Sequence, residues 1–418
     1  MYIKRHIEEV LEKAVTESGS LCITGARRVG KSTVLRHQFP NHRELSLDDS
    51  KLLRIALETP EEFFEQFPPP VFIDEIQYAP SLFSRIKMHI DNTDETGAFV
   101  LSGSQRFEMM ANVTESLAGR ITLIDLYGLS LREIQGDLFR ERFMPTKEYY
   151  QKRKANPPKP LKYLDIWEHI WRGFFPEIAN KIISEKEKPT HETWERFYRG
   201  YIRTYLDRDV SKLAQVGDLL TFEKFMTAVA ARTGQLLNID NLASDTGISR
   251  QTAEKWLSVL VASNIVFILQ PYHTNVMKRL IKTPKVYFMD TGLASYLIGW
   301  DNPTVLMNGA MSGPMFESFV IGEILKSWTN SSGVSPNLHF YYYRDKDGNE
   351  IDLLIKRNGT LYPIEVKKHL HCSKSDITAF KQLEKIPDMK RGEGCVVCMA
   401  DDVSPITATD KAVGICYL

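Results

Sequence analysis

The chain has 418 residues, of which 43% are hydrophobic and 25% are charged, proportions that are typical of a globular protein and exclude a disordered one. This length corresponds to about three domains, each large enough to bury a core. Because 53 basic residues balance 53 acidic ones, contact with nucleic acid would have to come from a local basic patch and not from the net charge.

No targeting or membrane segment is recognisable. The first residues, MYIKRHI, lack the apolar core of a secretory signal, and no stretch of about 18 uncharged apolar residues occurs. Five cysteines in a chain of this length fit a reducing compartment. We therefore expect a cytoplasmic protein without membrane contacts.

A phosphate-binding loop is the strongest motif. It follows a helix predicted over residues 7–18 and an apolar strand over 21–24, and its sequence GARRVGKST matches G-x-x-x-x-G-K-[ST] at every fixed position. The loop backbone can cradle phosphates, Lys31 reaches the β- and γ-phosphates, and Ser32 can bind Mg²⁺. A chance Gly-Lys-Ser turn is the alternative, and the flanking strand and helix disfavour it. The predicted ATP contacts are Gly25, Ala26, Arg27, Arg28, Val29, Gly30, Lys31, Ser32 and Thr33.

Two further strands are expected to place polar residues beside this loop. Apolar residues 71–73 lead into Asp74 and Glu75, the second signature of nucleotide hydrolysis. In that signature the first acid holds Mg²⁺ and the second orients and deprotonates the attacking water. Apolar residues 98–101 lead into Ser102, which we expect between two acid-bearing strands, where it can sense the γ-phosphate.

Strands that alternate with helices predict right-handed βαβ units and a parallel sheet that binds its ligand at the carboxyl ends of the strands. The last strand of this set is predicted over 121–126, directly after Arg120. Arg120 can act as an arginine finger on the nucleotide of a neighbouring subunit. The alternative is a solvated surface arginine.

These stretches resemble the AAA ATPase superfamily, and in particular a bacterial and archaeal branch of ATP-binding proteins. The resemblance continues through most of the chain and implies ATP and Mg²⁺ as cofactors. It also implies a homo-oligomer, such as a hexameric ring, because AAA catalysis commonly uses an arginine from a neighbour. The stretches that carry it are GARRVGKST, FIDEIQ at 72–77, LSGS at 101–104, LAGR at 117–120 and LSLRE at 129–133.

The middle of the chain contains a predicted helix–turn–helix. Residues 145–160 are polar, with four prolines and a KRK run, and indicate a linker or mobile loop, whereas 161–216 are predicted to be mostly helical. Residues 220–270 look like a winged helix–turn–helix, with a turn at Gly247 and a second helix capped by Ser249. The residues of that helix expected to face inward are Ala253, Trp256, Leu257 and Leu260.

Two groups of basic residues are candidate DNA contacts. Arg250 and Lys255 lie on the outward face of the second helix, where a recognition helix meets the major groove. A basic patch without acids, between 271 and 289, can follow the phosphate backbone. A helical lid that packs only against protein, and a patch that is merely solvated, are the alternatives. The patch consists of Lys278, Arg279, Lys282 and Lys285.

The C-terminal region carries a second group of chemical residues. A helix beginning near 314 is followed by a strand over 339–343, a hairpin turn at 347–349 and return strands over 350–355 and 361–367. This hairpin brings Asp352 close to Glu365 and Lys367, and the last two share one face of their strand. Two carboxylates can hold a divalent ion, and a lysine beside them can activate water or steady a phosphate.

This arrangement resembles the PD-(D/E)XK nuclease fold, with Asp352, Glu365 and Lys367 as its motif and Glu317 as the helix acid, although the usual proline is missing. The resemblance implies a second Mg²⁺ or Mn²⁺ at Asp352 and Glu365. The alternatives are an ordinary edge strand and a nuclease-like fold that does not cut.

Cys395 and Cys398 form a lone C-x-x-C. A zinc site would need two more ligands, for which His369, His371 and Cys372 are candidates. The apolar run around the two cysteines favours instead two small residues of a buried strand.

The predicted fold class is α/β: a parallel-sheet P-loop AAA-type ATPase core, a helical segment with a winged helix–turn–helix, and a C-terminal restriction-endonuclease-like domain. We expect an ATP-hydrolysing protein that binds DNA, including branched or structured DNA, and remodels or processes it. The alternative is a nucleotide-controlled switch whose C-terminal domain only binds DNA or protein. The predicted domains are 1–140 (ATPase), 141–216 (linker and helical region), 217–284 (winged helix–turn–helix) and 285–418 (nuclease-like).

Overall fold

A computed structural model gives the fold of the protein. In the part of the chain that it describes, the strands form three sheets, of five, three and seven strands. The basic residues Lys278, Arg279 and Lys282 lie outside that part. The described residues are 2–104, 117–185, 190–210, 219–273, 283–333 and 336–418.

The first sheet is parallel, as the alternation of strands and helices predicts. Its strands are β1 (Ser20–Thr24), β2 (Arg43–Ser46), β3 (Val71–Asp74), β4 (Phe99–Gly103) and β5 (Ile121–Asp125). Their order is β2-β3-β4-β1-β5, and every neighbouring pair runs parallel, so all carboxyl ends lie at one edge. Ser102 therefore lies between the strand of Asp74 and the strand of the phosphate loop. The expectation that it lies between two acid-bearing strands was wrong, because β1 ends in Thr24.

Both faces of this sheet are covered, and the helices around it bury two separate cores. Leu21 and Ile23 point into one core and Cys22 into the other, because alternate side chains of a strand face opposite ways. Asp49 caps α3 by accepting the backbone N–H of Lys51 at 2.7 Å. The helices are α1 (Glu8–Glu17), α2 (Lys31–Gln38), α3 (Ser50–Glu58), α4 (Pro60–Gln66) and α5 (Ser81–Thr93).

The segment predicted as a linker contains a packed helix. After α6 (Leu131–Gln135) comes α7 (Lys147–Ala155), which begins where the Thr146 hydroxyl accepts the N–H of Tyr149. Arg153 of the KRK run is fully buried and donates to Asp137 Oδ2 at 2.7 Å and to the Cys416 carbonyl at 2.9 Å. The linker prediction was wrong, because the prolines only flank the helix and its partners are distant in sequence.

The next three helices confirm the helical prediction for the described residues of 161–216. They are rich in aromatic side chains that pack face to face or edge to face, as Trp171 and Trp194 do with ring centroids 4.5 Å apart. These helices are α8 (Tyr163–Arg172), α9 (Pro176–Glu185) and α10 (His191–Tyr205), and a π-helical turn, Leu206–Val210, follows them.

The second sheet is small and antiparallel, in the order β6-β8-β7. It consists of β6 (Gln235–Leu236), β7 (Val266–Leu269) and β8 (Lys285–Phe288), and it accompanies α11 (Leu219–Ala230), α12 (Ile239–Thr246) and α13 (Arg250–Ala262). The strand β8 begins at Lys285, the first residue of the predicted nuclease-like domain, and yet it is the central strand of this sheet. The predicted inward face of α13 is confirmed, since Ala253, Trp256, Leu257 and Leu260 are all buried.

The C-terminal region is built on a long buried helix and a mixed sheet. Helices α14 (Thr291–Ile298), α15 (Pro303–Asn308) and α16 (Ser312–Ser332) precede the strands. The sheet has the order β14-β15-β13-β11-β10-β9, with β12 paired to β11. Its strands are β9 (Phe340–Arg344), β10 (Glu350–Arg357), β11 (Thr360–Val366), β12 (Lys390–Arg391), β13 (Gly394–Cys398), β14 (Val403–Pro405) and β15 (Asp410–Gly414).

Helix α16 joins this C-terminal sheet to the N-terminal region. Its Glu323 accepts the N–H of Leu131 at 2.8 Å, and its Lys326 donates to the Leu129 carbonyl at 2.9 Å. Trp328 is fully buried, and its indole N–H donates to the Phe143 carbonyl at 2.9 Å. Short 3₁₀ turns complete the described structure at Ile76–Tyr78, Pro336–Leu338, Lys374–Lys385 and Ile415–Tyr417.

Candidate functional site

The phosphate loop connects β1 to α2 at the carboxyl edge of the first sheet. Gly30 caps α2 with a φ of 96°, in the region that favours glycine. A Cβ atom on Gly25 would lie 2.2 Å from the carbonyl oxygen of Leu126. The backbone therefore requires glycine at both fixed glycine positions of the motif.

The ammonium group of Lys31 is hydrogen-bonded to the backbone of the phosphate loop. Lys31 is 7% exposed, and its Nζ donates to the carbonyl oxygens of Gly25 at 2.9 Å and of Ala26 at 3.0 Å. Lys31 is also the first residue of α2, so the ammonium lies near the N-terminal end of that helix. Helix N-termini favour anions through their free N–H groups and the helix dipole. The local field is therefore suited to phosphate.

Asp74 accepts hydrogen bonds from two serine hydroxyls, one at the start of α2 and one in β4. The Ser32 hydroxyl donates to Asp74 Oδ2 at 2.9 Å, and the Ser102 hydroxyl donates to Asp74 Oδ1. Burial raises the pKa of Asp74, and these two hydrogen bonds oppose the rise without cancelling it. A hydroxyl and a carboxylate side by side offer the hard oxygen ligands that Mg²⁺ prefers, so these residues fit the predicted ion.

Glu75 has a strained backbone. Its φ of 57° and ψ of 43° place it in the left-handed region, which residues other than glycine rarely adopt. Such conformations persist where the surrounding structure enforces them, and they are concentrated at functional sites. Its Oε2 accepts hydrogen bonds from Ser104, at 3.3 Å, and from Gln77. Glu75 also lines the cavity beside the loop.

That cavity has a volume of about 540 Å³, within the range of about 300–1,000 Å³ typical of small-molecule sites. The phosphate loop lines it together with residues from the N-terminus and from the helical region. The nucleotide site is thus shared between the first sheet and α9 and α10. The sequence analysis did not single out the following lining residues, because no short motif marks them: Tyr2, Ile3, Pro176, Asn180 and Thr204.

Arg5 supports the phosphate loop through hydrogen bonds, and the sequence analysis did not predict this role. Its guanidinium donates to the Val29 carbonyl at 3.0 Å and to the Tyr127 carbonyl at 2.9 Å, and it lies 3.1 Å from Glu133. Burial acts to raise the pKa of Glu133, but the attraction of Arg5 and His6 outweighs it, so the pKa lies below its usual value. A buried ion pair therefore supports the phosphate loop.

Arg120 lies at the opposite edge of the sheet from the phosphate loop of its own chain. Its carbonyl accepts the N–H of Ser20, the first residue of β1, and its side chain pairs with Asp91 of α5. Any contact of Arg120 with ATP would therefore be made with the nucleotide of another subunit.

The predicted DNA-reading residues of α13 are exposed. Arg250 pairs with Asp240 at 2.8 Å and with Glu254 at 2.9 Å, and Lys255 is exposed on the same helix. The turn has the predicted geometry, because Gly247 ends α12 in the left-handed region and the Ser249 hydroxyl accepts the N–H of Thr252 at 3.1 Å.

Two of the acids predicted for the C-terminal metal site, Glu317 and Asp352, converge on a lysine, together with Glu350, which was not predicted. Lys285 Nζ lies 3.1 Å from Glu317, 3.5 Å from Asp352 and 2.6 Å from Glu350. The Lys285 side chain is 4% exposed. Its assignment to a basic patch was wrong, because the fold buries it among acids from α16 and β10.

Glu365 and Lys367 form a separate pair beside this cluster, with 2.7 Å between Nζ and Oε1. Burial, and then repulsion by Asp352, raise the pKa of both Glu365 and Glu317. Among the described residues, no three or more His, Cys, Asp or Glu side chains are arranged to hold a metal ion. As placed, the C-terminal acids do not fit the predicted second metal. Cys395 and Cys398 are buried in β13, as predicted for core residues.

Comparisons with known proteins agree with the first of these sites. Residues 17–135 match a family described as an AAA domain, whereas 163–304 and 312–418 match two domains of unknown function, DUF8612 and DUF4143. Uncharacterised proteins of Mycobacterium tuberculosis and Mycobacterium bovis are each 26% identical to this chain over 360 residues, which cover 86% of this chain and 72% of theirs.

Two solved structures are similar in part. A Walker-type ATPase of Pyrococcus abyssi aligns with a TM-score of 0.44 and 13% identity over 71% of this chain and 96% of its own. A signal transduction ATPase of Pyrococcus horikoshii, which has a tetratricopeptide repeat sensor, aligns with a TM-score of 0.27 and 12% identity over 79% of this chain and 47% of its own.

The AAA match covers the phosphate loop and the two acids at the end of β3. Residues 17–135 are thus similar to an AAA-type P-loop domain, and the protein is an ATPase. ATP hydrolysis of this type uses Mg²⁺. This part of the prediction is confirmed. None of the helices among the described residues could span a lipid bilayer, since none combines sufficient length with sufficient hydrophobicity.

Proposed function

We propose that this ATPase uses nucleotide turnover to remodel DNA that is bound by its helix–turn–helix region. The observation that carries the proposal is the position of the nucleotide cavity, which is shared between the phosphate loop and helices α9 and α10. The π-helical turn after α10 also contacts the loop that follows β2, because Arg208 lies 3.2 Å from Asp48. A change at the γ-phosphate would thus be transmitted to α9, α10 and this turn.

We propose a role for each polar residue of the nucleotide site. Lys31 steadies the β- and γ-phosphates, and Ser32 and Asp74 hold the ion that neutralises phosphate charge. Glu75, whose side chain lines the cavity, takes the proton of the attacking water. Ser102 fixes the orientation of the Asp74 carboxylate through its hydrogen bond and links that strand to the γ-phosphate position.

The second sheet and its helices support a winged helix–turn–helix. Helix α12 ends at Gly247, α13 begins at the Ser249 cap, and β7 and β8 form the hairpin that would be the wing. Arg250 and Lys255 would face the major groove. The acids that pair with Arg250 are exposed, and exposed ion pairs contribute only about 0–1 kcal/mol, so DNA phosphates or bases can replace them at little cost.

The C-terminal region has the element order of a nuclease-like domain. Helix α16 precedes the antiparallel strands β9, β10 and β11, and β13 then pairs parallel to β11. Because a lysine occupies the centre of its acids, we propose that this domain does not cut in the conformation described and only binds DNA or protein. No metal-dependent cutting step is assigned to it.

The position of Arg120 favours a homo-oligomer. It lies at the sheet edge away from its own phosphate loop, so a closed ring, such as a hexamer, would bring it to the nucleotide of the next subunit. The same ring would let one subunit sense the nucleotide state of its neighbour.

The test of this proposed function measures ATP hydrolysis and DNA binding together. Purified protein is incubated with ATP, Mg²⁺ and linear, single-stranded or branched DNA at several salt concentrations. We expect salt-sensitive binding and faster hydrolysis on at least one DNA, both weakened by Lys255→Glu. Lys51→Glu, which reverses an exposed lysine on α3, is the matched control. A hydrolysis rate that no DNA changes, together with no salt-sensitive binding, would exclude a DNA partner.

A nucleotide-controlled switch is the second candidate function. It is favoured by the contact between Lys285 of β8 and acids of α16 and β10, which ties the helix–turn–helix sheet to the C-terminal region. Such a protein would show slow turnover that is independent of DNA, together with a change in protease sensitivity between ATP and ADP.

A further inference from the structure

The acid cluster of the C-terminal region has carboxylate oxygens aimed at one buried point, and a side chain of the same protein occupies that point. Lys285 Nζ contacts three carboxylates, at 2.6, 3.1 and 3.5 Å. The lysine reaches them from the second sheet, whereas the acids belong to the helix and the central strands of the C-terminal region. The elements that form the cluster are β8, α16 and β10.

Two oxygens of the cluster also accept hydrogen bonds from other protein donors. The Tyr287 hydroxyl donates to Glu317 Oε1 at 2.6 Å, and the backbone N–H of Val366 donates to Asp352 Oδ2 at 2.9 Å. A divalent cation needs these same oxygens, at shorter distances and in a regular coordination shell. The donors present are arranged for an ammonium group and its hydrogen bonds.

Charge explains why the ammonium is retained. Buried carboxylates are stable only when they are paired or hydrogen-bonded, because burial strongly disfavours an isolated charge. Three carboxylates within 3.5 Å of Lys285 Nζ attract the ammonium and compensate for the burial of its charge.

We propose that Lys285 is the built-in cation of this cluster, and that its ammonium excludes divalent metal ions from the C-terminal acids. Lys285 begins β8, the central strand of the second sheet, so a movement of that sheet relative to α16 and β10, or a change of the side-chain rotamer, would withdraw the ammonium from the acids. One consequence of the inference rests on the proposed function. If the C-terminal region is a nuclease-like domain, metal-dependent chemistry there requires Lys285 to withdraw from the acids.

Replacing the lysine tests the proposal without ATP or DNA. Lys285→Met leaves the carboxylates without their cation, and we expect the variant to be destabilised in EDTA and restabilised by Mn²⁺ in thermal unfolding. We further expect it to bind Mn²⁺, or Tb³⁺ detected by luminescence sensitised through Tyr287, at least about tenfold more tightly than the wild type. For the wild type, we expect no saturable Mn²⁺ or Tb³⁺ binding that depends on Glu317, so Glu317→Gln should leave its titration unchanged.

Lys326→Met is the matched control, because Lys326 is also a buried lysine, but it pairs with the single carboxylate of Glu323. It should lose stability without recovery in Mn²⁺. The double variant Lys285→Met with Glu317→Gln should lose the Mn²⁺ effect, because one of the metal ligands is gone. Lys285→Gln provides a second variant whose neutral side chain keeps hydrogen bonds to the acids.

Two results would overturn the proposal. One is saturable Mn²⁺ or Tb³⁺ binding by the wild type that Glu317→Gln removes. The other is a folded Lys285 variant that gains no metal binding. Wild-type titration remains decisive even if both lysine variants fail to fold. Because the test uses neither nucleotide nor DNA, its failure leaves the proposed DNA function standing, and the failure of that function leaves this inference standing.

Discussion

The Ser32 hydroxyl donates a 2.9 Å hydrogen bond to Asp74, which links the start of α2 directly to the end of β3. The two residues are 42 positions apart in the chain and meet because parallel strands bring their carboxyl ends to one edge. Ser102 donates to the other oxygen of the same carboxylate. The nucleotide site is thus organised around one buried acid that both hydroxyls orient.

Lys31→Ala and Glu75→Gln should separate binding from hydrolysis. The first removes the ammonium that steadies the phosphates, and we expect ATP binding, measured by fluorescence titration, to be lost. The second keeps the shape of the side chain and removes the base, so binding should persist while turnover falls by about 10²–10⁴-fold. Wild-type turnover by Glu75→Gln would show that another group activates the water.

Ser102→Ala should change the pH dependence of hydrolysis. The Ser102 hydrogen bond favours the charged form of Asp74, so its removal should raise the pKa of that carboxyl further. Asp74 must be ionised to hold Mg²⁺, and activity should therefore decline at a higher pH than in the wild type as the solution is acidified. The measurement is kcat/KM against pH at saturating Mg²⁺.

Ser84→Ala is the control for this experiment, because the Ser84 hydroxyl is exposed and donates only within α5. It should leave the pH profile unchanged. A Ser102→Ala variant with a lower rate but an unchanged acid limb would show that the serine acts on the γ-phosphate and not through Asp74.

The sequence predicts the nucleotide site well because its parts are short and contiguous. Residues 25–33 form one loop and the start of its helix, and Asp74 and Glu75 come at the end of one recognisable apolar strand, so only the order of the strands is needed to bring them together. The strained backbone of Glu75 and the support from Arg5 leave no local pattern, since they depend on contacts with residues far along the chain.

Two of the errors in the sequence analysis, those on Arg153 and Lys285, have the same physical cause. Arg153 and Lys285 are basic residues in polar or basic stretches, and composition therefore assigns them to solvent. Each is buried by partners that are distant in sequence: Arg153 is 263 positions from Cys416, and Lys285 is 67 from Asp352. The long stems of these side chains pack as apolar groups while the charged ends find partners, which local pattern cannot reveal.

Arg120→Ala should affect hydrolysis only through assembly. If Arg120 reaches a neighbouring nucleotide, the specific activity of the wild type should rise with protein concentration, and the variant should lack that rise, with a loss of up to about 10³–10⁵-fold for a true arginine finger. Asp91→Asn, which frees Arg120 from its partner, should retain activity.

A mixing experiment sharpens this prediction. Glu75→Gln subunits have an intact arginine but no base, whereas Arg120→Ala subunits have a base but no arginine. Mixed oligomers should therefore recover activity that neither variant shows alone. Hydrolysis by Arg120→Ala at the wild-type rate at every concentration would leave Arg120 as a surface residue.

Glu133→Gln should lower the free energy of unfolding and make it less dependent on pH. The folded-state pKa of Glu133 lies below its usual 4.5, so its stabilising contribution is present above that pH and is lost as the pH falls through the folded value. The variant leaves Arg5 without its buried partner, which should cost about 3–5 kcal/mol of unfolding free energy at neutral pH and flatten the loss of stability below about pH 4.5. Urea unfolding at pH 7 and pH 4 measures both effects.

Glu17→Gln, which breaks the exposed pair with Lys13, is the control and should cost less than about 1 kcal/mol. Because Arg5 also holds the Val29 carbonyl, Glu133→Gln should weaken ATP binding, and an equally small cost in both variants would show that the buried pair does not support the loop.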